Sequence, residues 1–283
     1  MRGAVIQKDV AFVGRAQHAG HLRLRGAVGT LLVLAGLGLL CQCSAEEQGL
    51  HHEVTSHGAF ANVRVYRPPR PLRSVALVLS GDGGWDPAMD SLVEGLTREG
   101  ALVAGINTRD WLAALERAPS SCVSPGASLA DLGHYVAARY GLKDAAPVLV
   151  GHSAGATLAY VALAQAPRGA FAGAVTLSFC ADLDLAKPLC PAPALRELPR
   201  REGVRLVPGG ALTAPWVAMH GILDRVCPVA EARAFAQAIP GVRFIPIPDT
   251  GHTYGAPLDW RTQFLQSYGE LARRAPPAAR ASP

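Results

Sequence analysis

Pro147-Val148-Leu149-Val150-Gly151-His152-Ser153-Ala154-Gly155-Ala156-Thr157-Leu158 joins two apolar runs through a pentapeptide with glycine at each end and serine at its centre. The first run, 147–150, predicts a strand covered on both faces. The second predicts a helix over 153–164. A serine held between a strand and a helix by G-x-S-x-G occupies a sharp turn that lifts its hydroxyl above the sheet edge. The glycines have a steric role, because side chains there would collide inside the turn. The helix N-terminus then points at the hydroxyl and favours negative charge developing there. Ser153 is therefore expected to be a nucleophile.

Outward from this turn the chain alternates strands and helices. Two short alternating segments, 54–60 and 62–66, read as an antiparallel pair at a sheet edge. Ser74-Val-Ala-Leu-Val-Leu-Ser80 is a second buried strand, followed by Gly81-Asp82-Gly83-Gly84-Trp85. Residues 87–99 predict a helix with Asp86 as N-cap and Gly100 beyond its end. Strands are expected at 101–106, 174–179, 215–221 and 242–247, and helices at 129–140, 229–239 and 258–273. Residues 181–212 carry prolines and charges without a period and read as a short cap-like excursion over the sheet. The alternation predicts an α/β domain over 46–274, mainly a parallel sheet with helices on both faces. Neither an internal repeat nor an interior linker interrupts it.

A serine needs a base to attack at neutral pH. The α/β-hydrolase fold supplies an acid and then a histidine in the order Ser…Asp…His, each after a strand. Asp224 follows the strand ending at Gly221, and His252 follows the last strand in Pro248-Asp249-Thr250-Gly251-His252. Ser153, Asp224 and His252 are the expected catalytic set. Asp249 is the rival acid, but a position three residues before the histidine in a tight turn suits an orienting carboxylate poorly. His152 and His220 read as packed, satisfied histidines. An oxyanion hole requires two backbone N–H groups. Ala154, directly after the nucleophile, is one, and Asp82 (or Gly83) in the glycine loop is the expected second.

The first 45 residues read as an address rather than fold. Arg23 and Arg25 precede the uncharged run 26–40, which has the form of a secretory signal. It falls short of the roughly 20 residues a spanning helix needs. Cleavage before Glu46 is expected; a lipid attached through Cys41 or Cys43, or an uncleaved anchor, are the alternatives. The formal charge of +5 owes much to this segment, which holds five basic residues and one acidic one, leaving 22 basic against 21 acidic. No basic stripe interleaved with aromatics suggests nucleic acid. Residues 275–283 read as a disordered tail. Four cysteines remain in the body, an even number that fits disulfides in an exported protein. Of three possible pairings, Cys180–Cys190 is favoured because the two bracket a short excursion, which leaves Cys122–Cys227. The cysteine and histidine spacings do not form a metal motif, and no cofactor is implied.

Ser80-Gly-Asp-Gly-Gly-Trp85, Gly151-His-Ser-Ala-Gly-Ala156, Ser178-Phe-Cys180 and Cys227-Pro228 together resemble the VirJ/AcvB family of bacterial virulence-associated exported proteins. The resemblance spans about 72–270. It departs at Thr250-Gly-His-Thr-Tyr254, where the family would have Gly-Gly-His-His. It implies a periplasmic enzyme hydrolysing aminoacyl-phosphatidylglycerol, with the membrane surface as its place of action. Cleaving that ester through Ser153 is chemically consistent. Asp82 and Asp86 then become candidate partners of the substrate ammonium, with Trp85 beside them; turn former and helix cap are the competing roles of the two carboxylates. A general short-chain esterase or depolymerase-like hydrolase is the alternative, and a non-catalytic binding protein on the same fold a third reading. The sequence leaves the oligomeric state open.

Overall fold

The structure is a computed structural model that describes residues 50–255 and 259–274. The chain divides after Glu46, and every described residue belongs to the second unit. The expected signal segment 1–45, with Cys41 and Cys43, and the expected tail 275–283 lie outside the described residues.

β1 (His52–His57) and β2 (Phe60–Tyr66) pair antiparallel and form one edge, as the alternating sequence predicts. β3 (Ser74–Leu79) follows, then α1 (Pro87–Arg98), β4 (Ala101–Ile106), α2 (Thr108–Arg117) and α3 (Pro125–Arg139). β5 (Val148–His152) leads into α4 (Ala154–Gln165), and β6 (Gly173–Leu177) precedes the excursion. There β7 (Asp182–Leu183), β8 (Arg196–Pro199) and β9 (Val204–Val207) build a separate three-stranded sheet, with β9 in the middle. β10 (Trp216–Gly221), α5 (Val229–Gln237), β11 (Arg243–Ile247) and α6 (Trp260–Ala272) complete the domain. The eight-stranded sheet has the order β1-β2-β4-β3-β5-β6-β10-β11. From β4 to β11 every neighbouring pair is parallel. This is the α/β-hydrolase fold, with helices on both faces.

The central strands are continuous apolar runs because both faces are covered. In β3, Val75, Leu77 and Leu79 pack with Leu129 and Leu132 of α3 and with Leu158 of α4. Ala76 and Val78, on the other face, join Leu92 and Leu96 of α1 and Phe264 and Leu271 of α6. α4 is buried along nearly its whole length, which matches its run of small and apolar residues. Asp86 caps α1 as expected, its Oδ1 accepting from the N–H groups of Ala88 (2.9 Å) and Met89 (3.1 Å).

Three features differ from expectation. α2 is a helix in a stretch for which the sequence predicts none. The excursion is not without regular structure: its short strands bury only alternate residues, such as Val204 and Leu206, so the signal is weak. The cysteines pair as Cys122–Cys190 and Cys180–Cys227, with Cα separations of 4.9 and 5.3 Å. The expected Cys180–Cys190 and Cys122–Cys227 are therefore corrected. Val123 donates to Pro188 (2.9 Å) and accepts from Cys190 (2.8 Å), which brings Cys122 beside Cys190. β6 and β10 are neighbours, so the segments that leave their ends place Cys180 against Cys227.

Candidate active site

The turn at 151–155 is as tight as its sequence suggests. A Cβ on Gly151 would collide with the carbonyl of Gly155, and one on Gly155 would lie 2.6 Å from the Leu79 carbonyl oxygen. Ser153 itself has φ +53°, a conformation that non-glycine residues rarely hold without surrounding constraint. Its N–H is fixed by the Leu177 carbonyl at 3.0 Å, and its own carbonyl accepts from Ala156 and Thr157 as α4 begins. The N–H of Ala154, at the first helical position, has no backbone acceptor among the described residues.

The structure brings Ser153, His252 and Asp224 together from the ends of three different strands. His252 Nε2 is 3.0 Å from Ser153 Oγ, and His252 Nδ1 is 2.9 Å from Asp224 Oδ2. A carboxylate only accepts, so Nδ1 carries the proton and Nε2 is left to accept from the serine hydroxyl. Asp249 is exposed, with φ +51°, and makes no side-chain hydrogen bond among the described residues.

The Asp224 side chain is fully buried, and both its oxygens are occupied. Oδ1 accepts from the backbone N–H of Val226 and Cys227, each at 2.9 Å. Oδ2 accepts from His252 and from Ser178 Oγ, the latter at 2.6 Å. Burial pushes this carboxyl upward, but the Ser178 hydroxyl, the Cys227 N–H and His252 outweigh burial and hold it below the usual carboxylate range. Ser178 was not singled out as a site residue by sequence reasoning. It is fully buried with φ +53°, and its Oγ also lies 3.3 Å from the His252 carbonyl. Its signals in the sequence are its place directly after an apolar strand and its membership of the Ser178-Phe-Cys180 motif, neither of which names its partner.

Two further histidines support the site. His152 Nε2 donates to the carbonyl of His252 at 2.8 Å, tying the turn to the loop that carries the base. Burial lowers its proton affinity, against a smaller opposing effect of that hydrogen bond. His220 Nε2 donates to the Cys227 carbonyl at 2.7 Å and lies 3.3 Å from Asp224 Oδ2. Burial lowers its proton affinity as well. Asp224, Cys227 and His252 offer atoms close enough to surround an ion. Cys227 is held in its disulfide and Asp224 already accepts four hydrogen bonds, so this set does not fit a metal.

Within the glycine loop, Gly84 N–H closes a turn onto the Gly81 carbonyl at 3.0 Å, and Arg109 Nε holds the Asp82 carbonyl at 2.9 Å. Gly81 packs against the nucleophile: a Cβ there would lie 3.5 Å from Ser153 Cβ. The Asp82 and Gly83 N–H groups find no backbone acceptor among the described residues. The Asp82 carboxylate is exposed and forms no ion pair among them. Asp86 is engaged as the cap of α1. Trp85 is half-buried. Its ring fills the space over Gly105 of β4, stacks on Tyr66 at 6.2 Å, and donates through Nε1 to Asp90 at 2.9 Å. A cavity of about 710 Å³ in the excursion, near Glu116, Asp184 and Arg200, contains none of the triad in its lining.

No protein-family model matches the chain, and no curated protein matches it in sequence. Solved structures do resemble it. A putative dienelactone hydrolase from Klebsiella pneumoniae subsp. pneumoniae superposes with a TM-score of 0.55 at 17% identity, covering 80% of this chain and 97% of that one. Est1E from Butyrivibrio proteoclasticus gives 0.52 at 15% identity, covering 80% and 99%. Thermogutta terrifontis esterase 2, phosphorylated by paraoxon, gives 0.54 at 16% identity, covering 83% and 98%. At these identities the likeness establishes the fold.

Proposed function

We propose that the chain is a serine carboxylic ester hydrolase that uses Ser153, His252 and Asp224. The observation that carries this reading is the unbroken relay from Ser153 Oγ through His252 to Asp224, at 3.0 and 2.9 Å. Ser153 Oγ attacks the ester carbonyl while His252 Nε2 takes its proton. The tetrahedral oxygen settles against the N–H of Ala154 and that of Asp82 or Gly83, where each such donor is worth about 10²–10³ in rate. His252 then protonates the departing alcohol. Water, activated by the same imidazole, releases the acid from Ser153. Asp224 stays ionised throughout and stabilises the imidazolium. The reading is supported further by structural neighbours that include esterases.

The finer substrate is the aminoacyl ester of aminoacyl-phosphatidylglycerol, on the strength of the resemblance of residues 80–85 and 151–156 to the VirJ/AcvB family. The free, exposed carboxylate of Asp82 is a fitting partner for the substrate ammonium; Asp86, already a helix cap, is a weaker one. Two disulfides support export to an oxidising compartment, the periplasm in a Gram-negative cell. No helix among the described residues is long and apolar enough to cross a membrane.

A fluorophosphonate probe tests the chemistry: the folded protein is labelled and Ser153→Ala is not. Equal labelling of both proteins would overturn it. Lipid extracts from cells with and without the protein test the substrate. An unchanged level of aminoacyl-phosphatidylglycerol would favour a general short-chain esterase instead.

A further inference from the structure

Beside the nucleophile turn, a cavity of about 270 Å³ opens between the first turns of α1 and α6. Its wall includes His152 and Thr253, the chain neighbours of Ser153 and His252, so a group lodged there is close to the reacting ester. The remaining surface is apolar on one side, from Met89, Leu92 and Leu177, and rich in donors on the other.

The donor side is formed by Arg261. Its Nε is buried without a hydrogen-bond partner among the described residues, but the residue is only half-buried, and its terminal Nη groups, which make no hydrogen bond or ion pair there, are the donors it offers to the cavity. Trp260, 4% exposed, backs the wall with its ring, and its Nε1 is closed off from solvent. The Arg261 guanidinium lies 5.8 Å from the centre of the Trp260 ring and forms no ion pair among the described residues. α6 starts at Trp260 with no side chain capping it, so its first-turn N–H groups add positive potential, opposed by the exposed Asp259 carboxylate just before them. α1, by contrast, is closed by Asp86 and contributes apolar surface. No carboxylate lines the cavity among the described residues.

We propose that this cavity binds an anionic group carried by the ester substrate, a carboxylate or a phosphate, with Arg261 as its donor. This rests on the esterase reading and names the substrate class of the same site. A carboxylate would belong to the acid portion of the ester, and a phosphate to its alcohol portion.

Calorimetric titration of Ser153→Ala with glutarate and with glycerol 3-phosphate tests the cavity without turnover. Saturable binding of at least one is expected. Adding Arg261→Gln should weaken it at least tenfold. Preference for glutarate assigns the carboxylate, and preference for glycerol 3-phosphate the phosphate. In turnover, the ratio of kcat/KM for mono-4-nitrophenyl glutarate over 4-nitrophenyl butyrate should fall at least tenfold in Arg261→Gln if the carboxylate is bound. Failure of folded Ser153→Ala to bind either anion, or binding that Arg261→Gln does not weaken, would overturn the proposal. Failure of the unaltered protein to cleave either ester would instead overturn the esterase reading, and calorimetry would still decide the cavity.

Discussion

Replacing Ser178 by alanine removes one hydroxyl from a buried carboxylate and leaves the surrounding backbone in place. The hydroxyl donates to Asp224 Oδ2 at 2.6 Å, and both residues are buried. A hydrogen bond to a charged, buried group is worth about 1.5–3 kcal/mol. Ser178→Ala is expected to lose that much stability in urea unfolding at pH 7. The variant keeps a Cβ at φ +53°, so the loss reports the hydroxyl rather than relief of backbone strain. The deficit should also depend on pH. The native pKa of Asp224 lies below its ordinary value because the Ser178, Cys227 and His252 donors overcome burial. The resulting stabilisation is present above the ordinary carboxylate range, near about pH 4. It is lost as pH falls through the native value. Removing Ser178 raises the native value toward the unfolded one, so the difference between the two proteins should be full at pH 7 and shrink toward pH 3. Activity follows the same geometry: Ser178 orients the acid, so kcat should fall about tenfold or more with KM little changed. A stability difference under about 0.5 kcal/mol at pH 7, or one equal at both pH values, would refute the reasoning.

Asp224→Asn should reduce kcat by about 10⁴, because an amide can hold His252 in the wrong tautomer; 4-nitrophenyl butyrate turnover measures this, and a loss below tenfold would count against Asp224 as the orienting acid. Gly155→Ala places a methyl 2.6 Å from the Leu79 carbonyl oxygen. It should cost about 3 kcal/mol or more in thermal or urea unfolding. Replacing the Cys180–Cys227 pair by serine should cost about 2–4 kcal/mol and also lower kcat, since Cys227 N–H holds Asp224. The Cys122–Cys190 pair replaced likewise should cost similar stability with much less effect on kcat. Matched kcat losses in the two pairs would contradict the role given to Cys227.

Most of the sheet was legible in the sequence because its inner strands are buried on both faces and read as unbroken apolar runs, as in 74–79 and 101–106. The edge pair was legible from its alternation, and the cap of α1 from Asp86 before Pro87. The three residues of the relay were legible because the turn around Ser153 dictates glycines at fixed spacing and the fold orders the acid and base behind it. α2 was passed over. Its buried side rests on few residues, chiefly Trp111 and Leu115, beside a segment with little pattern. Ser178 and the orientation of Trp85 were not legible. A serine after a strand and a tryptophan after glycines carry no local mark of what they touch. Trp85 is settled by a missing side chain two strands away from the nucleophile, at Gly105.

The cysteines expose the same distinction between order along the chain and order across the sheet. Closeness in sequence favoured Cys180 with Cys190, yet the partner of Cys180 lies 47 residues away. β6 and β10 run parallel as neighbours, and everything that follows their C-terminal ends is brought to one place. Ser178 and Cys180 leave β6; His220, Asp224 and Cys227 come from the end of β10 and the loop beyond it. The Ser178–Asp224 hydrogen bond and the Cys180–Cys227 disulfide are therefore two consequences of one strand pairing, while the His220–Cys227 contact folds the β10 loop back onto its own strand. The acid is held from both sides of that pairing before His252 arrives from the next strand. Its position is set by sheet order, and only residues on β10 and its loop could have announced it in sequence.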